Sequence, residues 1–212
     1  MTRGQFITFE GGEGAGKSTQ VRRLAQRLAE RGREVASTRE PGGSPGAEAI
    51  RNLLVTGEVE RWSPVTETLL MYAARRDHIE RVIQPALARG ATVLCDRFLD
   101  STRAYQGAGG GAAPDLIRAL ENHIVGAMIP DLTLILDLPI SVGLARAAAR
   151  GEGEARFEAK GYAFHERLRA GFLAIAAAEP ARCVVIDAGA SLDDVSEAIW
   201  RAVETRLAGA KN

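Results

Sequence analysis

Lysine is almost missing from this chain: of 27 basic residues, all but Lys17, Lys160 and Lys211 are arginine. Cysteine is scarcer still. Cys95 and Cys183 stand far apart, each inside an apolar run, which excludes a disulfide framework and leaves two small core residues of a reducing compartment. Excess charge of either sign is absent as well. Acidic residues also number 27, so no net field draws the chain to nucleic acid or an anionic membrane, and any anion site must be local. The histidines His78, His123 and His165 have no metal-ligand spacing. No apolar stretch has the length of a membrane span, and the opening MTRGQFITF enters a strand pattern with no secretory-leader signature. The expectation is a cytoplasmic protein with neither nucleic acid nor membrane as partner.

What the chain has is regular alternation. Its 212 residues, 46% hydrophobic, fit one domain, 1–212, able to bury a core, and neither a repeat nor a linker divides it. β-rich runs at 5–10, 34–40, 91–96, 132–137 and 182–187 alternate with helical spacing at 17–31, 46–56, 64–89, 114–127, 140–150, 158–178 and 191–208. Pro85 lies inside the longest helical pattern and is expected to kink it or end a helix there. Such alternation implies an α/β fold with a parallel sheet covered on both faces. Ligands of these sheets bind at the carboxyl ends of the strands, which puts Glu10, Glu40, Asp96, Asp137 and Asp187 at or near the functional edge. The stretch 145–161 is rich in alanine, glycine and charge and poor in anchors. Its composition fits a mobile segment over a site and a solvated helix end equally well.

GGEGAGKST, Gly11 to Thr19, follows the first strand and opens the first helix. Its Gly11-x-x-x-x-Gly16-Lys17-Ser18 spacing is that of a P-loop. The glycines let successive N–H groups curl around a phosphate, and the helix N-terminus adds its dipole. Gly11, Gly12, Glu13, Gly14, Ala15, Gly16 and Thr19 then form the cradle for a nucleoside triphosphate. Lys17 reaches the β- and γ-phosphates, and the Ser18 hydroxyl holds Mg²⁺. The fold expected is a P-loop three-layer sandwich: five parallel strands with helices on both faces.

A P-loop alone does not separate a switch, a motor and a kinase. The Asn-Lys-x-Asp motif that reads guanine in GTP-binding switches is absent. On the acceptor side, Arg39, Arg51, Arg75 and Arg97 collect near strand ends. Arginine forks suit phosphate oxygens, and several are needed to hold an acceptor phosphate beside a like-charged donor.

Four further stretches, TREPGG (38–43), YAARRDHIERVIQPAL (72–87), DRFLDSTRAYQG (96–107) and PDLTLILD (130–137), resemble thymidylate kinases, which phosphorylate dTMP with ATP. With the P-loop they run in order over most of the chain, and the final third fits more loosely. The resemblance implies that Arg39, Glu40, Pro41, Gly42 and Gly43 border the monophosphate site, and Glu10, placed at that edge as a strand-closing acid, is expected among the substrate-binding residues. It implies that Arg51 and Arg75 contact the nucleotide, Arg75 near thymine. Asp96 and Arg97 resemble the pair that organises Mg²⁺-bound water and the acceptor phosphate. Ser101 and Gln106 correspond to polar groups near the base, and Tyr105 to a ring against the sugar that hinders a 2′-hydroxyl. Glu13 resembles a loop carboxylate near the sugar 3′-hydroxyl or the transferring phosphate. The same resemblance implies a homodimer.

It also makes 145–161 the lid over ATP. Family members without an arginine inside the P-loop supply basic residues from the lid, and here Gly14 and Ala15 occupy that interior. Arg150, then Arg156, are the expected catalytic cations, with Arg146 toward the ATP. One position departs: Met71 stands where many members have a phenylalanine stacked on thymine; either its polarizable sulfur packs on the base face, or Tyr72 or Phe98 supplies an aromatic one. The reading is transfer of the γ-phosphoryl of Mg²⁺·ATP to dTMP. Alternatives are a kinase for another monophosphate such as dUMP, and a nucleotide-dependent switch or binding protein.

Overall fold

The structure, a computed structural model, describes residues 3–150 and 155–209, the side chains at 150, 155, 158 and 207–209 excepted. Five parallel strands form one sheet: β1 (Phe6–Glu10), β2 (Val35–Arg39), β3 (Thr92–Asp96), β4 (Leu132–Asp137) and β5 (Cys183–Asp187), in the order β2-β3-β1-β4-β5. β1 is central, with Phe9 beside Asp96 of β3 and Leu134 of β4. All five of its side chains are buried. A strand covered on both faces has no solvent side to alternate toward, so FITFE reads as a continuous run.

One face is covered by α1 (Lys17–Ala29) and, at the far end of the chain, α10 (Leu192–Gly209). Ile7, Phe9, Leu134 and Leu136 meet Val21, Leu24, Leu28, Ile199 and Val203 there. On the other face lie α2 (Pro45–Val55), α3 (Pro64–His78), α4 (Gln84–Ala88), α5 (Leu99–Thr102) and α6 (Pro114–Leu120). β4 is followed by α7 (Ile140–Arg150), α8 (Ala155–Glu158) and α9 (Tyr162–Ala178). α9 packs Phe164, Leu168 and Phe172 around Tyr105 and Ile135.

Five parallel strands with helices on both faces agree with the expected fold class. The pattern over 64–89 resolves differently from expectation. A π-helical turn, Ile79–Ile83, lies between α3 and α4, with the Gln84 N–H donating to the carbonyl of Ile79, five residues back. The wider turn just before Pro85 lets the chain continue as α4 past a residue that has no N–H and crowds the preceding turn. A second correction concerns 99–109, for which no element was expected. α5 continues there into a π-helical stretch, Arg103–Gly109, that carries Tyr105 and Gln106.

Candidate active site

The P-loop is locked between β1 and the start of α7. Gly11 has φ +130°, and a Cβ there would stand 2.4 Å from the carbonyl oxygen of Leu136. Gly14 has φ +67°, and its Cβ would meet the carbonyl oxygen of Gly143 at 2.1 Å. Only glycine has both the conformation and the clearance. α1 has no acidic residue in its first turn, so the positive end of its dipole is left for an anion. The Lys17 ammonium donates to the carbonyls of Gly11 at 3.1 Å and Gly12 at 2.8 Å. Ser18 Oγ donates to Asp96 Oδ2 at 2.5 Å, across the β1–β3 junction.

Those two oxygens are a small hard-donor set. Among the described residues no group of three or more His, Cys, Asp and Glu could hold a metal ion. A hydroxyl and one carboxylate at a phosphate cradle suit Mg²⁺, which keeps water and substrate phosphates as its other ligands.

Arg97 follows Asp96 and has φ +70°. Its guanidinium donates to the Gly11 carbonyl at 3.1 Å and to both oxygens of Glu13 at 3.1 and 3.2 Å. It also stacks 4.8 Å from the centre of the Tyr105 ring, whose hydroxyl donates to Glu13 at 2.5 Å. Burial alone would push the Glu13 carboxyl up, but Arg97, then Lys17 and the Tyr105 hydrogen bond, hold it below the usual carboxylate range. The P-loop, the end of β3 and the π-helical stretch thus meet in one charged cluster.

Beside it opens a cleft lined by Glu40, Pro41, Met71, Arg75, Arg97, Phe98, Ser101, Thr102, Tyr105, Gln106 and Phe157. Arg75 is 2% exposed. Its Nε donates to Glu40 at 2.8 Å, and Nη2 donates to the Phe98 carbonyl at 3.0 Å and Thr102 Oγ1 at 2.9 Å. Nη1, equally buried, has no hydrogen-bond partner among the described residues. His78 Nδ1 lies 3.0 Å from the other Glu40 oxygen and steadies it. Gln106 donates to Glu67 at 2.9 Å, and Glu67 pairs with Arg156.

Several expected site residues fall elsewhere. Glu10 is fully buried behind the cleft, where Phe98 and Ser101 donate to it. Desolvation, followed by the neighbouring Asp100 charge, pushes its carboxyl up to about 7. Tyr72 points into the core below Arg75, its hydroxyl toward Glu121, so Phe98 and not Tyr72 supplies an aromatic wall. Arg51 donates to the Pro41 carbonyl at 2.7 Å, supporting the loop from behind. Arg39, half-exposed and paired with Glu48, lines an adjoining groove with Ser18 and Asp96.

On α7, Arg146 donates to the Ala188 carbonyl at 3.3 Å, beside the end of β5. Arg156 departs furthest from expectation. It is 2% exposed, and it donates to the carbonyls of Leu54 and Glu58 and pairs with Glu67, partners on and just after α2 and on α3, none of them in the P-loop. The pairing with a buried carboxylate, unreadable from spacing, explains the difference. Arg150 has its side chain outside the described residues. Sequence reasoning missed Glu67, for which no signal existed, and Phe157. Phe157 is the lone large anchor in an otherwise anchor-poor segment, and that could have marked it.

A family model described as thymidylate kinase matches residues 9–199. A thymidylate kinase of Caulobacter vibrioides is 72% identical over 98% of this chain and 99% of its own length. One from a Bradyrhizobium species is 56% identical over 97% and 92%. The crystal structure of thymidylate kinase from Ehrlichia chaffeensis superposes with a TM-score of 0.77 at 34% identity, covering 95% of this chain and 99% of that one.

Proposed function

The chain belongs to the thymidylate kinase family and phosphorylates dTMP with ATP; on that premise we propose how its residues divide the work. The P-loop and Lys17 hold the ATP phosphates, and Ser18 and Asp96 hold Mg²⁺. Bound there, the metal would neutralise charge on the phosphates and orient them. Arg97, with Arg39 in the adjoining groove, holds the acceptor phosphate. Glu13 and Tyr105 keep the Arg97 guanidinium at the junction until substrate oxygens replace them. Little covalent work falls to the protein in phosphoryl transfer, so alignment and charge neutralisation carry the rate. The acceptor is already ionised and needs no strong base.

The observation carrying the acceptor assignment is Arg75. A buried guanidinium with one unpartnered nitrogen, in the wall of a cleft lined by Phe98, Met71 and Phe157, calls for a planar ligand with an acceptor atom at its edge. A thymine carbonyl meets that need, with the ring against Phe98 and Gln106 at its polar margin. Arg150 completes the charge on the transferring phosphoryl when the lid, 145–161 of this single domain, closes. Arg146 serves the ATP side.

Leu53, Val65 and Leu69, exposed together on α2 and α3, support assembly as a homodimer through that face. The buried, unpaired Cys95 and Cys183 suit a reducing, cytoplasmic setting, and no described helix is long and apolar enough to cross a membrane. The decisive test compares dTMP, dUMP, UMP, GMP and AMP as acceptors in one ADP-release assay. The expected result is a clear preference for dTMP. A higher kcat/KM for any other acceptor would refute the base assignment, and ATP turnover indifferent to all five would favour a binding protein.

A further inference from the structure

Arg97 is the only described non-glycine residue with positive φ, at +70°. A side-chain-bearing residue keeps a left-handed backbone only where its surroundings fix the peptide groups on either side. Both are fixed here. The peptide before Arg97 is held at its oxygen by the Glu40 N–H, which donates to the Asp96 carbonyl at 2.9 Å. It is held at its nitrogen by the Phe9 carbonyl, which accepts from the Arg97 N–H at 2.9 Å. The peptide after Arg97 is held at its oxygen by Cys95 Sγ, 3.0 Å away, and at its N–H by Glu10 Oε1, which accepts from Phe98 at 2.8 Å.

Of these four restraints two are ordinary backbone pairings between neighbouring strand ends, and a thiol is a weak donor. Glu10 supplies the one side-chain oxygen among the four. Its second oxygen accepts from Ser101 Oγ at 2.5 Å, so the same carboxylate ties down the first turn of α5 beyond Arg97. Glu10 has no exposed surface and is absent from the walls of the cleft and of the adjoining groove.

We infer that Glu10 is a positioning residue for Arg97: without touching substrate, it clamps the left-handed turn that delivers the guanidinium to the P-loop junction. The inference rests on the assignment of Arg97 to the acceptor phosphate. A carboxylate used as a two-point hydrogen-bond acceptor is replaced better by an amide of equal length than by a shorter acid.

The test uses Glu10→Gln, Glu10→Asp and Glu10→Ala in the full chain, each with wild-type Arg97 and with Arg97→Ala, by steady-state kinetics in ATP and dTMP. Glu10→Asp and Glu10→Ala should lower kcat about tenfold or more, with KM for ATP within about twofold of wild type. Glu10→Gln should recover most of that kcat. In the Arg97→Ala background none of the three should cost more than about twofold further. Losses that multiply in the double variants would overturn the inference, as would an active Glu10→Asp beside an impaired Glu10→Gln. If Glu10→Ala does not fold, the Gln-against-Asp order and their double variants decide alone. Full activity in Arg97→Ala by itself overturns the Arg97 assignment, an outcome read separately from the cycle.

Discussion

Arg156→Ala should release α8 without unfolding the protein. Arg156 is anchored by Nε on the Glu58 carbonyl at 3.0 Å, by Nη1 on the Leu54 carbonyl at 3.1 Å, and by its pairing with Glu67. Removing it leaves the Glu67 carboxylate, itself 5% exposed, with Gln106 as its donor. Breaking a buried ion pair by deleting one partner costs about 3–5 kcal/mol. The chain has a cheaper response than global unfolding, because α8 is four residues long. Its other large anchor, Phe157, contributes roughly 1.5–3 kcal/mol by burial. Lifting α8 returns Glu67 to water, so the cost appears as local opening, a shift of about 10²- to 10⁴-fold in that equilibrium. Amide exchange, read by mass spectrometry on ATP-free protein, should accelerate across α8 and the first turn of α9 while β1, β3 and β4 keep wild-type rates. KM for dTMP should rise, since Phe157 leaves the cleft wall. Unchanged exchange at α8, or acceleration spread evenly over the sheet, would refute the latch. Arg156→Met with Glu67→Leu, which leaves no charge stranded, should restore slow exchange.

Lys17→Ala should lose phosphoryl transfer while keeping the wild-type thermal midpoint, and transfer at the wild-type rate would end the P-loop assignment. Gly14→Ala places a methyl against a backbone oxygen at a left-handed φ and should cost about 1–3 kcal/mol in a denaturant titration. Gly12→Ala, whose methyl meets nothing within 4 Å, should be near neutral, and equal effects at the two positions would contradict the packing described. Glu13→Gln tests a depressed carboxylate. The stability Glu13 contributes is present above the ordinary value of 4.5 and lost as pH falls through its lower folded value. The gap between wild type and variant should therefore be wide at pH 7 and close in acid, and a gap independent of pH would show that Arg97 and Lys17 do not hold the charge.

The fold was legible because both of its signals are local. Strand runs such as LTLILD are apolar throughout, and the Gly11–Ser18 spacing carries its own strand and helix context. The donor side was legible for the same reason: a P-loop is one continuous segment. The acceptor side was legible as residue types but not as roles. Arg75 and Arg156 are both arginines near acids in sequence terms. Which one faces a cleft and which one is consumed by Glu67 depends on packing between α3 and α8, and no spacing records that. Glu10 shows a related limit. The rule that strand-closing acids lie at the open edge of the sheet puts Asp96 in the groove beside Ser18 but fails for Glu10, whose two oxygens are taken by the Phe98 N–H and by Ser101 of α5. The helix at 99–109 was missed because its π-helical stretch breaks the 3.6-residue period on which a pattern reading relies.

The strand order also governs how the molecule assembles. β1 pairs with β3 and β4 and not with β2, the strand that follows it in sequence, so Phe6 waits for Val93 and Ile7 for Leu132. A nascent chain halted before β4 has the P-loop sequence in full but lacks Leu136, whose carbonyl closes against Gly11, and Gly143, which closes against Gly14. Its central strand then carries one unpaired edge, the kind of surface that recruits other chains. Contacts of such long sequence separation fold slowly. The phosphate cradle, spelled out within the first 19 residues, is thus among the last parts to become rigid, which makes the interval before β4 docks the vulnerable one in synthesis and refolding.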